Sequence, residues 1–175
     1  MSWGRSRLGL AGEAEYSWVL RDYGETSTME SSQQPQDPSG KAYPAQGVTV
    51  WFDKTRCRHF AECLRGAPAV FETGRKPWVR PDLGEPSEIA RVIRLCPTGA
   101  LHYRLAEDPL EEPDSPTRVR PLKNGPLLVR GDLLIRTPSG MLRDTRAALC
   151  ACGKTENGPF CDGACDITEP LGPRD

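Results

Sequence analysis

The chain has 175 residues, with 17 Gly, 17 Pro and a formal net charge of −1 at pH 7. This length and composition favour two small modules rich in loops, and the near-neutral charge gives no support for nucleic-acid binding. No apolar run approaches the ~20 residues of a membrane span, and residues 1–18 lack the apolar centre of a signal peptide. We therefore expect a cytoplasmic protein with no nucleic-acid and no membrane partner, in which seven clustered cysteines indicate metal or redox chemistry rather than disulfides.

Residues 1–46 are predicted to be a disordered or weakly structured extension. Residues 24–46 are rich in Ser, Gln, Pro and Gly and contain almost nothing to bury. The alternative is a short amphipathic element around Trp18. Met29 lies inside the polar tract, which leaves open whether residues 1–28 belong to the mature protein.

Residues 47–104 predict a first module made of a strand, a cysteine-containing loop, a helix and a second strand. Apolar residues alternate in GVTVWFD with the two-residue period of a strand. The stretch PSEIARVIRLCP predicts a helix with Ser87 as its N-cap, one apolar face, and Pro97 beyond its end. LHYRL predicts the second strand, in which we expect His102 to be exposed.

An acidic segment separates this module from a second one. Residues 105–117 contain three prolines and five acidic residues, a composition that predicts an extended linker. Residues 118–168 predict a small β-rich module in which PLLVRG and LLIRTPSG form short strands joined by a turn at Gly131-Asp132. Residues 169–175 are predicted to be a flexible tail.

Four of the seven cysteines lie in residues 150–165, which read CACGKTENGPFCDGAC. One residue separates Cys150 from Cys152, which places both sulfurs on one side of an extended strand and suits two ligands of one iron. Cys161 and Cys165 would share one face if CDGAC began a helix. Zinc is the alternative, because four thiolates can close a tetrahedral site, although paired zinc ligands are usually separated by two to four residues.

Seven residues of this segment match a known pattern at every spacing, and they are Cys150, Cys152, Thr155, Pro159, Cys161, Asp162 and Gly163. The pattern resembles the CDGSH iron-sulfur domain, or NEET family, over roughly residues 118–166. The resemblance implies a 2Fe-2S cluster, and relatives of this module often pair as homodimers. Cys165 stands where the family has histidine, and it is a competent iron ligand. The alternative is that Cys165 is a free thiol and the fourth ligand comes from outside.

The other three cysteines lie in CRHFAEC and LCPTGAL. Three thiolates fit a 3Fe-4S cluster, or a 4Fe-4S cluster whose fourth iron takes another ligand. Several features match a second family, namely Cys57, His59, Cys63, Pro77-Trp78, Cys96-Pro97 and Gly99-Ala100-Leu101. They resemble the divergent 4Fe-4S mono-cluster domain over residues 47–104. His59 could bind the fourth iron, donate a hydrogen bond to a sulfide, or lie in solvent. The apolar wall expected around the cluster consists of Phe60, Val70, Phe71 and Trp78.

These patterns together predict an α+β protein, in which a small ferredoxin-like α/β module is followed by a small β-rich CDGSH iron-sulfur module. We expect the protein to hold two iron-sulfur clusters and to carry single electrons between redox protein partners. We expect no enzymatic activity, because no constellation of catalytic side chains stands outside the cysteine groups. The alternatives are a redox or iron sensor and a zinc-stapled binding module.

Overall fold

The computed structural model describes residues 37–106 and 111–164, and its elements confirm the α+β class. The elements are the strands β1 (Lys41–Ala45), β2 (Val48–Phe52), β3 (Leu101–Leu105), β4 (Arg118–Pro121), β5 (Leu127–Thr137) and β6 (Gly140–Leu149), and the helices α1 (Glu62–Gly66) and α2 (Pro86–Ile93). The strands form two antiparallel sheets, in the orders β1-β2-β3 and β4-β5-β6. Over the described residues, no helix is long and apolar enough to span a bilayer. The predictions for residues 1–36 and 165–175 lie outside the described residues.

The first sheet begins inside the segment that was predicted to be disordered, so that prediction was wrong for β1. This strand pairs with β2 across a two-residue turn in which Gly47 has a φ of 81°, a conformation that glycine adopts without a steric penalty. The sequence of β1 conceals the strand, because Tyr43 is its only buried residue. Pro44 is also typical of loops, although an edge strand tolerates it.

The predicted helix is present as α2, but it begins earlier than expected. Its N-cap is Glu85, which makes no side-chain capping bond, and Pro86 occupies the first turn. The prediction of Ser87 as the N-cap was therefore wrong, because proline lacks the N–H group that would be unpaired at this position. The predicted apolar face is confirmed by Ile89, Val92 and Ile93, which are buried in the core of the first sheet.

The second sheet has one long hairpin in place of the two short strands that were predicted. β5 runs through Gly131 and Asp132, and its pairing with β6 shifts register between Arg130 and Leu133. The pair Gly131-Asp132 is thus a bulge rather than a turn. A Cβ atom at Gly131 would lie 2.3 Å from the hydroxyl oxygen of Thr117, the residue before β4. The backbone at Thr117 therefore leaves room only for glycine at this bulge.

The acidic segment is not a free linker where the structure describes it. Asp114 accepts hydrogen bonds from Arg94, just beyond α2, at 2.8 Å and from Arg130 of β5 at 2.9 Å. Arg130 also donates to the backbone carbonyl of Arg94 at 2.7 Å. The prediction of an extended linker was wrong here, because Asp114 pairs with arginines of both modules instead of remaining solvated. Both sheets fall in one compact unit.

Candidate metal centres

Three cysteines predicted to bind a cluster come together at the first sheet. Cys57, Cys63 and Cys96 line one cavity that is open to solvent. Cys57 follows a 3-10 turn at Lys54–Arg56, and Cys63 lies in α1. Cys96 lies just beyond α2. Residues far apart in the sequence thus converge because the loop, α1 and α2 meet at one end of the first sheet.

Burial dominates the electrostatics of these thiols. It raises the pKa of Cys63 to about 11, and the nearby Cys96 adds to this effect. Burial also raises the pKa of Cys57, although the backbone N–H of His59 opposes the shift. A buried thiolate is costly unless a positive charge compensates it. Such thiols remain protonated until a cation displaces their protons, as metal ligation requires.

The wall of the first cavity is only partly the one that was predicted. Phe60 and Trp78 line the cavity as expected, together with Phe52, which was not predicted. The rings of Phe52 and Trp78 meet edge to face at 4.6 Å between centroids. Val70 and Phe71 lie in the core behind this wall. The ring of Phe71 packs against that of Trp78, with 5.8 Å between their centroids. The wall prediction was therefore wrong for Val70 and Phe71, because both are buried in the core of the first sheet, where Phe71 bridges to Val79.

Two polar residues complete this site. His59 is exposed and lines the cavity, so the structure brings it to the three thiols. Thr98 is 2% exposed, and its hydroxyl lies 3.6 Å from the sulfur of Cys96. The same hydroxyl oxygen accepts a hydrogen bond from the N–H of Ala100 at 3.2 Å, which leaves its proton free to face the sulfur. Thr98 was not predicted, although its place two residues after Cys96 was a usable signal.

The second group of cysteines follows the end of β6. The sulfurs of Cys150 and Cys152 lie 3.7 Å apart. They face each other as expected, but across a bend at residues 151–153 and not along an extended strand. The N–H of Cys161 donates to the carbonyl of Ala148 at 2.8 Å, and the N–H of Cys150 donates to that of Pro159 at 2.9 Å. These bonds draw Cys161 alongside the strand end. Cys161 is 2% exposed, whereas Cys152 is exposed.

Backbone N–H groups surround the exposed part of the second site. The N–H of Thr155, followed by those of Cys152 and Gly153, lowers the pKa of Cys150 below its ordinary value. The N–H of Lys154 also donates to the sulfur of Cys152 at 3.4 Å. Successive amides that point at one position stabilise negative charge there. The loop therefore favours thiolates before any metal binds.

The predicted helix after Cys161 is absent from residues 161–164, so that prediction was wrong over this range. Asp162 instead closes the loop by accepting hydrogen bonds from the N–H groups of Glu156 at 2.7 Å and Ala164 at 2.9 Å. Those two bonds lower the pKa of Asp162. Cys165 lies outside the described residues, and its role as a ligand stays a prediction.

The three thiols of the first site suit a body larger than one ion. In residues 37–106 and 111–164, no three His, Cys, Asp or Glu side chains are placed to hold a single metal ion. Yet three thiols line one cavity in the first sheet. Thiolates spread around an apolar space suit a cluster with several iron atoms better than zinc, which gathers its ligands within about 2.3 Å.

A buried set of charges joins the two sites, and the sequence did not reveal it. Arg56 is 3% exposed and forms an ion pair with Asp144 of β6 at 2.6 Å. It also donates to the carbonyls of Thr98 at 3.1 Å and Arg146 at 2.9 Å. Its guanidinium lies 4.4 Å from the ring centroid of Phe160. Arg56, the residue before Cys57, thus contacts Phe160, the residue before Cys161.

Arg146 makes the reciprocal connection from the second sheet. It is 1% exposed and donates to the carbonyls of Ile93 at 2.5 Å and Leu101 at 3.0 Å, and to Glu111 at 2.8 Å. His102 was predicted to be exposed, which was wrong. It is 7% exposed and lies 3.0 Å from Glu111 and 3.4 Å from Asp144. Strand alternation could not reveal this burial, because the covering surface is the other sheet.

Comparisons with known proteins agree with this geometry. A family described as a divergent 4Fe-4S mono-cluster matches residues 43–106, and one described as an iron-binding zinc finger of the CDGSH type matches residues 124–164. The chain is 37% identical over 68 residues to protein YjdI of Escherichia coli strain K12 and to YjdI of Escherichia coli O157:H7, across 39% of this chain and 90% of each relative. No solved structure gives a significant match. The chain therefore belongs to the same family as these YjdI proteins, and it joins a divergent 4Fe-4S mono-cluster domain to a CDGSH iron-sulfur domain.

Proposed function

We propose that this protein is a cytoplasmic carrier of single electrons with two iron-sulfur clusters and no enzymatic activity of its own. Cys57, Cys63 and Cys96 would hold a 4Fe-4S or 3Fe-4S cluster, with His59 as the candidate for a fourth ligand. The second cluster, of the 2Fe-2S type, would be held by Cys150, Cys152, Cys161 and Cys165. When bound, such clusters accept and release one electron at a time.

The observation that carries this proposal is the junction between the two thiol groups. Arg56 precedes Cys57 and packs over Phe160, which precedes Cys161. Buried ion pairs with good geometry define one arrangement of the groups they join. A protein that only needed metal to fold two modules would not require them to be fixed together, whereas a carrier benefits from a constant separation between its clusters.

The surroundings of the two sites support different tasks. The rings of Phe52, Phe60 and Trp78 give the first cavity an apolar lining, and the polarity around a cluster helps to set its potential. The amide-rich loop of the second site lies at the surface, where a partner can approach Cys152. Exposed arginines on β4 suit a redox partner with an acidic face, so we expect association with that partner to weaken as salt concentration rises.

The direct test is anaerobic purification followed by counts of iron and acid-labile sulfide and by electron paramagnetic resonance. We expect two distinct signals between the reduced and oxidised forms. Cys96→Ser should remove only the first signal and Cys150→Ser only the second, so that each variant is the control for the other. A colourless protein with stoichiometric zinc and no sulfide would overturn the proposal.

The role of Cys165 needs a separate test, because it lies outside the described residues. An added thiolate makes a cluster more negative than an imidazole does. Cys165→His should therefore raise the potential of the second cluster and make it depend on pH near neutrality, where imidazole titrates. A potential that is unchanged and independent of pH would mean that Cys165 does not bind iron.

A redox or iron sensor is the second candidate, and the exposure of Cys152 favours it. A cluster at the surface is accessible to oxidants as well as to electron donors. A sensor should bind its partner with an affinity that changes with oxidation state, while a carrier should exchange electrons with a reductase at a rate that saturates. Measuring both quantities on the same preparation separates these functions.

A further inference from the structure

Phe60 borders both thiol sites. It lines the cavity that contains Cys57, Cys63 and Cys96. It also packs against the small apolar group formed by Leu128, Ala148 and Cys161 in the second module. Phe52 and Trp78 line the first cavity too, but neither is in contact with that second group. Phe60 is thus an aromatic side chain shared by the two sites.

The backbone holds Phe60 in place at a cost in conformational energy. Its neighbours His59 and Ala61 have φ angles of 54° and 61°, in the left-handed region that residues other than glycine rarely adopt. The guanidinium of Arg65 donates to the carbonyl of Phe60 at 2.7 Å. Left-handed residues on both sides of one aromatic persist only where the surroundings enforce them, and such places cluster at functional sites.

We propose that Phe60 is a positioning residue shared by both clusters, and that it makes the potential of each cluster depend on the oxidation state of the other. This inference rests on the proposed function. An aromatic ring between two charged groups excludes water from the space between them, and a charge added on one side is then felt more strongly on the other. Phe52 is the matched control for the first site, and Leu122, which packs against the same apolar group as Phe60, is the control for the second.

The test is a redox titration of the full-length, cluster-loaded protein, followed by paramagnetic resonance, in four variants. Phe60→Leu should shift both potentials and reduce the dependence of each on the other, and Phe60→Tyr should restore both properties because it keeps the ring. Phe52→Leu should shift only the first potential, and Leu122→Ala only the second. If Phe60→Leu changed only the first potential, as Phe52→Leu does, or left the mutual dependence intact, the shared role would be disproved.

A second measurement separates this inference from the proposed function. The full chain is freed of metal with a chelator, and alkylation of Cys161 by a maleimide is followed by peptide mass spectrometry. Phe60→Leu should expose Cys161 and raise its rate of alkylation about tenfold, which corresponds to about 1.4 kcal/mol. Phe52→Leu should leave that rate unchanged. Equal rates in the two variants would disprove the contact even if the protein held both clusters. Absence of iron and sulfide would refute the carrier function, but the alkylation measurement would still test the contact between Phe60 and Cys161.

Discussion

The thiols of the first site lie in an apolar cavity, whereas the loop of the second site places Cys150 and the exposed Cys152 among backbone N–H groups. Burial raises the pKa of Cys63 to about 11, while hydrogen bonds from the N–H of Thr155 and its neighbours lower that of Cys150. In the first arrangement, the apolar surroundings keep the thiols protonated until a cation displaces their protons. The second stabilises negative charge with fixed dipoles at a surface that partners can reach. The same side chain, cysteine, therefore has a different acidity at the two sites because its surroundings differ.

Buried ion pairs help to hold the two regions together as a single body. Arg56→Leu would leave the side chain of Asp144, which is 3% exposed, without its partner. Breaking a buried pair in this way costs about 3–5 kcal/mol. We expect urea unfolding followed by far-ultraviolet circular dichroism, to which both sheets contribute, to show this loss together with separate transitions for the two modules. Tryptophan fluorescence should follow the first module alone, because residues 118–168 contain no Trp.

The control for Arg56 is Arg91→Leu. Arg91 pairs with Glu88 at 2.9 Å, but both side chains are about 60% exposed, and surface pairs contribute about 0–1 kcal/mol. Equal losses in the two variants would mean that the junction does not unite the modules.

Close approach of the two regions can be tested at Gly99. Its φ is 64°, and an added Cβ would lie 2.2 Å from the carbonyl oxygen of Arg146 and 2.4 Å from the guanidinium of Arg56. Gly99→Ala should therefore destabilise the protein by about 1–3 kcal/mol through overpacking and backbone strain. Gly74 faces open space, so the Gly74→Ala variant should unfold at nearly the native urea concentration. A tolerated alanine at position 99 would contradict the observed contact.

The contrast between the thiols themselves can be sharpened by alkylation of the metal-free chain at pH 8. The pKa of Cys63 lies about two units above that of an ordinary thiol and still further above that of Cys150. Two units leave Cys63 with about 100-fold less thiolate, and the greater nucleophilicity of its thiolate offsets about tenfold of this deficit. Cys150 should thus react at least about tenfold faster.

The rate for Cys63 should still be rising at pH 10, where that for Cys150 has reached its plateau. Peptide mass spectrometry after timed quenching resolves the two positions. Identical pH profiles would remove the electrostatic difference between the sites.

The smallest expected effect concerns Asp114, which joins the two modules by accepting hydrogen bonds from Arg94 and Arg130. Partial burial opposes its charge, but hydrogen bonds from Arg130 and then Arg94 hold its pKa below the ordinary value. Its stabilising contribution is therefore present above about pH 4 and is lost as the pH falls through the lower folded-state pKa.

Asp114→Asn should cost about 1 kcal/mol at pH 7 and less at pH 3, as measured by urea unfolding at both values. Glu88→Gln, which affects an exposed pair, is the control. A loss that is equally large at pH 3 would show that the charge of Asp114 is not what stabilises the junction.

Short-range patterns in the sequence determined much of the molecule. Alternation predicted β2, the three-to-four-residue spacing of apolar residues predicted α2, and the positions of the cysteines predicted two separate thiol groups. These features depend on neighbours within one element, because the periods of a strand and a helix are fixed by local backbone geometry. Even the close pair Cys150 and Cys152 needed no tertiary information.

Only the tertiary structure decided how the two modules meet. The environments of Arg56, His102 and Arg146 depend on surfaces contributed by another sheet, and no local period carries that information. The acidic segment looked like a solvated linker for the same reason, since its arginine partners lie 16 and 20 residues from Asp114 in the sequence. A charged residue is costly to bury alone and stable when it is paired, so its burial is settled only when the fold brings the partner to it.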